Sequence, residues 1–139
     1  MDIEGHIIHI DFGFLLSNAP GKGFRFEKAP FKLNVDMVEV LGGAKSKKFK
    51  NEFRELMREG FMACHEYADR IIILVEMMFM GQHDLPCFKE GEMLIKNLKN
   101  RLFPNGMGKK MTELECARYV DGLIEESYDN WRTRAYDKF

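Results

Sequence analysis

Apolar and polar residues alternate near the start of the chain. An apolar side chain stands at every second position from Ile8 to Phe12. The polar residues His9 and Asp11 lie between them. An alternation with a period of two residues is typical of a β-strand with one buried face. We therefore predict a short β element within residues 5–13.

Residues 14–33 keep neither a strand period nor a helical one. They are rich in the residue types that favour turns, namely Asn18, Pro20, Gly21, Gly23 and Pro30. Loops of this length are uncommon inside compact domains, and many of them carry function. The pattern predicts a long, functional loop.

From residue 34 onward, apolar residues recur at helical spacing. Asn34 is a good helix cap and Gly42-Gly43 is typical of the end of a helix, so we predict a short helix between them. The next segment has the i, i+4, i+7 spacing of one buried helical face. This apolar stripe comprises Phe49, Phe53, Leu56, Met57, Gly60, Phe61 and Cys64.

Further helices are predicted in the second half of the chain. Residues 71–80 are apolar almost all round, which favours a central buried helix. The tetrapeptide LPCF ends it, and a helix with Leu94, Leu98 and Leu102 turned inward follows.

The last long helix begins with a capping box, because Thr112 is followed three residues later by Glu115. Its predicted inward residues are Leu114, Ala117, Val120 and Ile124. The whole pattern predicts a mainly α-helical fold with a short N-terminal β element, in which residues 34–139 form a helical body.

The composition fits one soluble domain. The chain has 139 residues, of which 45% are hydrophobic and 31% charged, enough for a single core. The formal net charge of −1 argues against a nucleic-acid-binding protein that works through bulk charge. The three cysteines are odd in number and widely spaced, which predicts free thiols and a reducing compartment.

The tripeptide Asp11-Phe12-Gly13 is the main candidate for chemistry. It ends the predicted β element and opens the long loop, which is the order of a kinase activation segment. In kinases the Asp of this turn binds Mg²⁺, a cation that prefers oxygen ligands. On the residues alone, a strand that ends in a solvated Asp11 is the alternative.

Two other kinds of site are excluded by residue spacing. Gly21-Lys22 is followed by Gly23 instead of the Ser or Thr that a phosphate-binding loop needs. His6 and His9 do not pair with any cysteine at zinc-ligand spacing.

Several motifs together give the chain a family resemblance. GHIIHIDFGF, APFKL, the Gly42-Gly43 pair and LPCF resemble the catalytic domain of phosphatidylinositol 3- and 4-kinases. The likeness is strongest to the type III phosphatidylinositol 4-kinases of the beta class, because LPCF and the following IKNLKNRLF are more specific to 4-kinases. The resemblance covers nearly all of residues 1–139. It implies the C-terminal, large-lobe portion of a protein-kinase-like lipid kinase fold.

The resemblance implies a role for each matching residue. Asp11 is the implied catalytic residue, which binds Mg²⁺ or Mn²⁺, and Ile10 lines the ATP pocket. Phe12 and Gly13 begin the activation loop, which continues through residues 14–33 and meets the inositol headgroup. The basic residues implied to bind the lipid substrate are Lys22, Arg25, Lys28 and Lys32. Because these charges are dispersed, unphosphorylated phosphatidylinositol is the expected substrate.

The implied reaction is transfer of the ATP γ-phosphate to the inositol ring of phosphatidylinositol in membranes. The expected product is phosphatidylinositol 4-phosphate, made by a 1-phosphatidylinositol 4-kinase. The expected location is the cytoplasm, peripheral on Golgi or other internal membranes. Regulatory proteins are expected to bind through regions outside this chain, and no nucleic acid is expected as a partner.

The chain lacks most parts of a complete kinase. The ten residues before Asp11 hold no catalytic loop, and no nucleotide-anchoring lysine on a strand or glycine-rich loop is found. Phosphoryl transfer needs these parts together. We therefore expect a fragment of a longer kinase that is inactive alone. Apolar faces that the missing parts leave uncovered predict self-association.

Two alternatives remain open at this point. One is a phosphoinositide-kinase-like protein kinase, which would share HIDFG but should lack LPCF. The other is a non-enzymatic helical interaction module in which Asp11 is only structural.

Overall fold

Helices make up most of the structure. The computed structural model describes Ile3, Glu4, His6, Ile8, residues 14–18 and residues 29–136. In chain order the helices are α1 (Val35–Val40), a π-helix (Lys48–Phe53) that continues into α2 (Arg54–Glu66), α3 (Ala68–Gly81), a 3-10 helix (Pro86–Phe88), α4 (Glu92–Leu102), α5 (Glu113–Ser127) and α6 (Trp131–Tyr136). The prediction of a mainly α-helical fold is confirmed.

The predicted β element lies largely outside the described residues. Of residues 5–13, only His6 and Ile8 are described. In the part of the chain that the structure describes there is no strand, and the β contact present is an isolated parallel bridge between Leu33 and Tyr128. The N-terminal strand therefore stays a prediction.

Helix α1 begins and ends where the sequence indicated. The Asn34 side chain accepts a hydrogen bond from the Met37 backbone N–H at 3.0 Å and caps the helix. At the other end, Gly42 and Gly43 have φ angles of +89° and +88°, a region that glycine adopts without a Cβ penalty. The Gly43 N–H donates to the Val38 carbonyl at 2.9 Å, as in a Schellman motif. Local sequence signals thus fix both ends of α1.

The π-helix and α2 form one continuous helix that packs against α5. The buried residues of this main core come from the end of the predicted loop, α1, the π-helix and α5. They are Leu33, Val38, Phe49, Cys116, Val120 and Ile124, with Phe53, Met57 and Phe61 partly buried against them.

The predicted stripe on this helix is wrong at three positions. Leu56, Gly60 and Cys64 are exposed, and Leu56 keeps 68% of its area accessible. A π-helix bonds i to i+5, so it rotates the residues after it relative to a regular α-helix. The buried side therefore follows four-residue steps from Phe49 to His65, which a regular helical period does not predict.

Helix α3 is not the central buried helix that its composition predicted. Ala68 and Ile72 are buried, and this side of α3 faces α4. The opposite apolar residues are 46–64% exposed, namely Ile73, Leu74, Met77 and Met78. Their i, i+1, i+4, i+5 spacing places them on one face. Because the sequence of α3 is apolar almost all round, it does not indicate which face is buried. Packing against the neighbouring helix α4 determines that face.

A buried histidine joins α2, the end of α4 and the loop before α5. The Nδ1 atom of His65 lies 2.7 Å from the Leu102 carbonyl oxygen. Its Nε2 atom accepts from the Met111 N–H at 3.0 Å. Because an N–H can only donate, the neutral ring carries its proton on Nδ1 and donates it to Leu102. The ring also stacks on Phe61 and meets Phe103 edge-on.

The LPCF motif forms the 3-10 helix and a small core of its own. Phe88 is 2% exposed, and its ring centroid lies 5.6 Å from that of Phe79. Leu94 and Ile95 of α4 are buried in the same cluster. Burying a phenylalanine of this kind contributes about 1.5–3 kcal/mol. This core fixes the turn between α3 and α4.

The capping box at the start of α5 is confirmed. The Thr112 hydroxyl accepts from the Glu115 N–H, and the Glu115 carboxylate accepts from the Thr112 N–H at 2.8 Å. The prediction was wrong for Leu114, which is 60% exposed, while Cys116 two residues later is buried. Val120 is buried as predicted.

Candidate functional site

Most of the predicted site residues lie outside the described part of the chain. These are Ile10, Asp11, Phe12, Gly13, Lys22, Arg25 and Lys28. The structure therefore does not show whether they come together. It does describe both ends of the predicted activation loop, residues 14–18 and 29–33, and the groups that hold them.

The entry of the loop is held by the LPCF motif. The Ser17 hydroxyl donates to the Cys87 carbonyl oxygen at 2.6 Å. The preceding turn is closed by the Asn18 N–H, which donates to the Leu15 carbonyl at 3.0 Å. Leu16 inside this turn has a φ of +53°, a conformation uncommon for a residue other than glycine. The start of the loop thus contacts the LPCF tetrapeptide through Ser17.

The exit of the loop is held by α4 and α5. The Arg101 guanidinium donates from Nη2 to the Pro30 carbonyl oxygen at 2.6 Å. The Phe31 N–H donates to the hydroxyl of Ser127 at 3.2 Å, and Ser127 is fully buried. A buried hydroxyl needs a partner, and this backbone N–H supplies one.

The next residues of the exit pair with the end of α5. The Asp129 N–H donates to the Leu33 carbonyl at 3.0 Å, next to the bridge between Leu33 and Tyr128. The Tyr128 ring lies 6.3 Å from that of Phe49. The exit is therefore fixed between α5 and the π-helix.

Lys32 is the described member of the predicted lipid-binding residues. It is exposed and takes part in an interaction within the chain. Its neighbours Phe31 and Leu33 are both hydrogen-bonded to the end of α5, so the backbone of Lys32 is held in place. Because its backbone is already fixed, Lys32 can meet a ligand without the cost of ordering the loop backbone there.

Among the described residues, the groups with shifted pKa values belong to α2 and α5 and not to the loop itself. A hydrogen bond with the Asp121 carboxylate, 2.6 Å away, raises the pKa of Arg58, and Arg54 lies 3.2 Å from the same carboxylate. Burial raises the pKa of the Cys116 thiol and of the Tyr119 hydroxyl. Arg54 and Arg58 belong to α2 and the other groups to α5, so these shifts reflect helix packing.

No group of three or more His, Cys, Asp or Glu side chains within the described residues is placed to hold a metal ion. In the same part of the chain, no helix is long and apolar enough to cross a membrane. All three cysteines, Cys64, Cys87 and Cys116, are free.

Sequence reasoning missed the residues that hold the loop. Ser17 and Ser127 bond to groups 70 and 96 residues away, and no local pattern signals such contacts. It also missed a group of four lysines within residues 45–50, which the sequence displays openly.

Comparison with known proteins adds independent information. The family model for phosphatidylinositol 3- and 4-kinases matches residues 1–89. This match includes Asp11-Phe12-Gly13, the whole predicted loop and LPCF. The search of solved structures gave no match.

Several curated relatives match over the entire chain. It is 46% identical to phosphatidylinositol 4-kinase beta 2 of Arabidopsis thaliana. It is 43% identical to a phosphatidylinositol 4-kinase of Dictyostelium discoideum and 40% identical to phosphatidylinositol 4-kinase beta of Xenopus tropicalis. Each alignment covers 100% of this chain. The chain spans only 11–16% of the length of these relatives.

Proposed function

The chain belongs to the phosphatidylinositol 3- and 4-kinase family, and we propose that it is the C-terminal part of the large lobe of a phosphatidylinositol 4-kinase. The parent kinase, meaning the longer protein that contains this chain, transfers the γ-phosphate of ATP to phosphatidylinositol and makes phosphatidylinositol 4-phosphate. The observation that carries this proposal is the 40–46% identity over the whole chain to proteins named phosphatidylinositol 4-kinases.

In this proposal Asp11 is the catalytic metal ligand. A carboxylate suits Mg²⁺ or Mn²⁺, because both are hard cations that prefer oxygen ligands. The bound ion supplies charge neutralisation for the ATP phosphates. Ile10 forms part of the apolar wall for adenine, Phe12 packs beside the metal turn, and Gly13 allows the chain to enter the loop.

The activation loop of residues 14–33 selects the lipid. Its basic residues Lys22, Arg25, Lys28 and Lys32 are spread along the loop, which suits a headgroup that carries a single phosphodiester. The loop is held at Ser17 by Cys87 and at Phe31 by Ser127. Two fixed ends support a loop that presents its middle to the substrate.

The location of the parent kinase follows from its substrate. Phosphatidylinositol is a membrane lipid, so the kinase works from the cytoplasm as a peripheral protein on Golgi or other internal membranes. Regulatory proteins bind to regions outside this chain. The reported relatives are all named phosphatidylinositol 4-kinases, which favours a lipid over a peptide as phosphate acceptor.

The 139-residue chain alone is expected to have no kinase activity. One metal ligand does not assemble the nucleotide site, the catalytic base and the second metal site that phosphoryl transfer needs. The purified chain, incubated with Mg-ATP and phosphatidylinositol vesicles, should give no labelled lipid. Labelled lipid above that of a sample without protein would contradict this expectation.

The proposed function is tested by the acceptor and the position of the new phosphate. The parent kinase is incubated with labelled ATP, phosphatidylinositol vesicles and a mixture of peptides. We expect label on the inositol 4-position and none on the peptides. Label at the 3-position would assign the protein to the sister branch of the family. Label on peptides alone would favour the protein-kinase alternative.

A further inference from the structure

A lysine patch spans the segment after α1 and the first residues of the π-helix. It consists of Lys45, Lys47, Lys48 and Lys50. All four side chains are exposed. None of them forms an ion pair with any residue that the structure describes. Four unpaired positive charges within six residues give this surface a local positive potential, which attracts anionic partners.

The backbone beneath the lysine patch is held firmly. The Ser46 hydroxyl donates to the Leu41 carbonyl at 2.7 Å and accepts from the Phe49 N–H at 3.1 Å. Phe49 is 3% exposed and stacks on Phe53 with ring centroids 5.3 Å apart. The patch is therefore presented on a rigid base rather than on a mobile tail.

Exposed apolar residues belong to α1, the helix that precedes the lysine segment. Val40 at the end of α1 is 85% exposed, and Met37 one turn earlier is 46% exposed. The hydrogen bond from Ser46 to Leu41 brings the end of α1 against the start of the lysine segment. Such a combination suits a membrane surface, because lysines interact with the charged headgroups and aliphatic side chains interact with the acyl chains below them.

The patch also lies next to the exit of the predicted activation loop. Phe49, inside the lysine segment, contacts the Tyr128 ring, and Tyr128 bridges to Leu33 at the end of the loop. Leu33 and Phe49 belong to the same buried cluster. A membrane that meets the loop would therefore lie within reach of the patch.

We propose that the lysine patch, with Val40 and Met37, is a membrane-contact surface that recognises anionic lipids. This inference rests on the proposed function, because a lipid kinase must hold a membrane next to its loop. The four lysines outnumber the nearby exposed acids, which are Asp36 and Glu39 of α1 and Glu52 of the π-helix, so the surface keeps a positive balance. The patch adds a second contact to the loop residues Lys22, Arg25, Lys28 and Lys32.

A lipid surface fits these observations better than a nucleic acid or an acidic protein. The net charge of the whole chain is −1, which differs from the strongly basic balance typical of proteins that bind nucleic acid through bulk charge. The exposed Val40 side chain also favours a membrane, because an aliphatic side chain can insert below the headgroups of a leaflet.

Vesicle sedimentation with the purified chain tests the proposal. The vesicles contain either phosphatidylcholine alone or phosphatidylcholine with phosphatidylserine. We expect at least about tenfold stronger partition onto the anionic vesicles, and a marked loss of that binding in high salt. The four patch lysines are then replaced together, by Lys45→Gln, Lys47→Gln, Lys48→Gln and Lys50→Gln. The partition of this variant onto anionic vesicles should be about tenfold or more weaker than that of wild type, because each lysine near an anionic surface strengthens partition by up to roughly fivefold.

A matched control removes the same charge elsewhere. Lys89, Lys96, Lys109 and Lys110 are also exposed and without ion pairs to described residues. Their replacement by Gln should leave most of the vesicle binding intact. Val40→Ser should weaken binding while leaving its salt dependence in place. Helix content by circular dichroism should be equal in all variants, since none of these side chains is buried.

Several results would overturn the proposal. These are no preference of the wild-type chain for anionic vesicles, an equal loss in the control variant, or unchanged binding after the patch lysines are replaced. Binding of RNA that depends on the patch, without vesicle binding, would assign the surface to nucleic acid instead. None of these readouts uses ATP. If the parent kinase phosphorylates lipid but the chain shows no preference for anionic vesicles, the membrane role of the lysine patch is wrong and the proposed kinase function still stands.

Discussion

At the scale of single residues, buried polar side chains connect segments that are far apart in the sequence. Ser127 receives the N–H of Phe31, and His65 holds both Leu102 and Met111. The Ser127 bond joins α5 to the exit of the predicted loop, and the His65 bonds join α2 to the end of α4 and to the loop before α5. Each removes a buried donor or acceptor that would otherwise be unpaired.

Replacement of His65 should destabilise the chain strongly. In His65→Leu, the Met111 N–H and the Leu102 carbonyl lose their partners while staying buried. Each unpaired buried group costs about 1–3 kcal/mol, so the free energy of unfolding should fall by about 2–6 kcal/mol. Urea denaturation followed by circular dichroism measures this change.

The matched control is His83→Leu, because the His83 side chain is 69% exposed and contacts only an exposed carboxylate among the described residues. Its effect should stay within about 0.5 kcal/mol. Equal midpoints and slopes for the His65 and His83 variants would show that the buried hydrogen bonds contribute nothing.

The sequence predicted single residues well where the signal is local. The Asn34 cap, Gly42-Gly43 and the Thr112–Glu115 capping box each involve groups within a few residues, so residue type and spacing suffice to identify them. His65 and Ser127 could not be identified in this way. Their partners lie 37 to 96 residues away, and only the folded chain brings them together.

At the scale of elements, the start of α5 carries a pH-dependent contribution to stability. Hydrogen bonds from the Thr112 backbone N–H, and then from its hydroxyl, hold the pKa of Glu115 below its usual value. The charged carboxylate is therefore favoured in the folded state. This stability is present above the pKa of an unfolded glutamate, about 4.3, and is lost as the pH falls through the lower folded pKa.

Glu115→Gln should lower the thermal midpoint at neutral pH, and its difference from wild type should shrink as the pH falls below about 4. Glu113→Gln is the matched control, because Glu113 also lies in the first turn of α5 and is equally exposed there. It should have a smaller effect at neutral pH. Identical pH profiles for the two variants would contradict the role given to the capping box.

Burial along each helix was harder to predict than the helices themselves. A shift of one residue turns a side chain by about 100°, so a small error in phase moves a residue from core to solvent. The π-helix produces such an error at Leu56, and α5 shows another at Leu114. In α3 apolar residues occur on every side of the helix, so their spacing does not identify the buried face.

At the scale of the whole molecule, the exposed face of α3 is the main unpartnered apolar surface among the described helices. Ile73, Leu74, Met77 and Met78 lie together on it. Contiguous exposed apolar surface of this kind promotes association. We therefore expect the isolated chain to self-associate through α3.

Analytical ultracentrifugation should show a sedimentation coefficient that rises with concentration for the wild-type chain. The double variant Leu74→Gln, Met77→Gln should sediment as a 16.3 kDa monomer. Met93→Gln with Met107→Gln changes two similarly exposed residues outside α3 and should behave as wild type. A monomeric wild-type chain would contradict the expectation, as would equal dissociation in both variants.

The sequence identified the motifs of the candidate site, but it did not predict the contacts that hold them. Asp11-Phe12-Gly13, APFKL and LPCF identified the family, which the comparisons confirmed. The contact of Ser17 with Cys87 joins the start of the loop, four residues after Gly13, to LPCF. The lysine patch needed the structure, since the sequence shows four charges but not their exposure beside Val40.

We propose that Asp11 is the metal ligand of a lipid kinase, and a comparison of three forms of the parent kinase on phosphatidylinositol vesicles with Mg-ATP tests this role. Wild type and Asp84→Asn should make phosphatidylinositol 4-phosphate at equal rates, because the Asp84 side chain is 95% exposed. The rate of Asp11→Asn should be more than about a hundredfold lower. Even the loss of a residue that only hydrogen-bonds to a metal ligand lowers activity or metal affinity by about 10–100-fold. No lipid product from wild type, or an Asp11→Asn variant as active as wild type, would contradict the account.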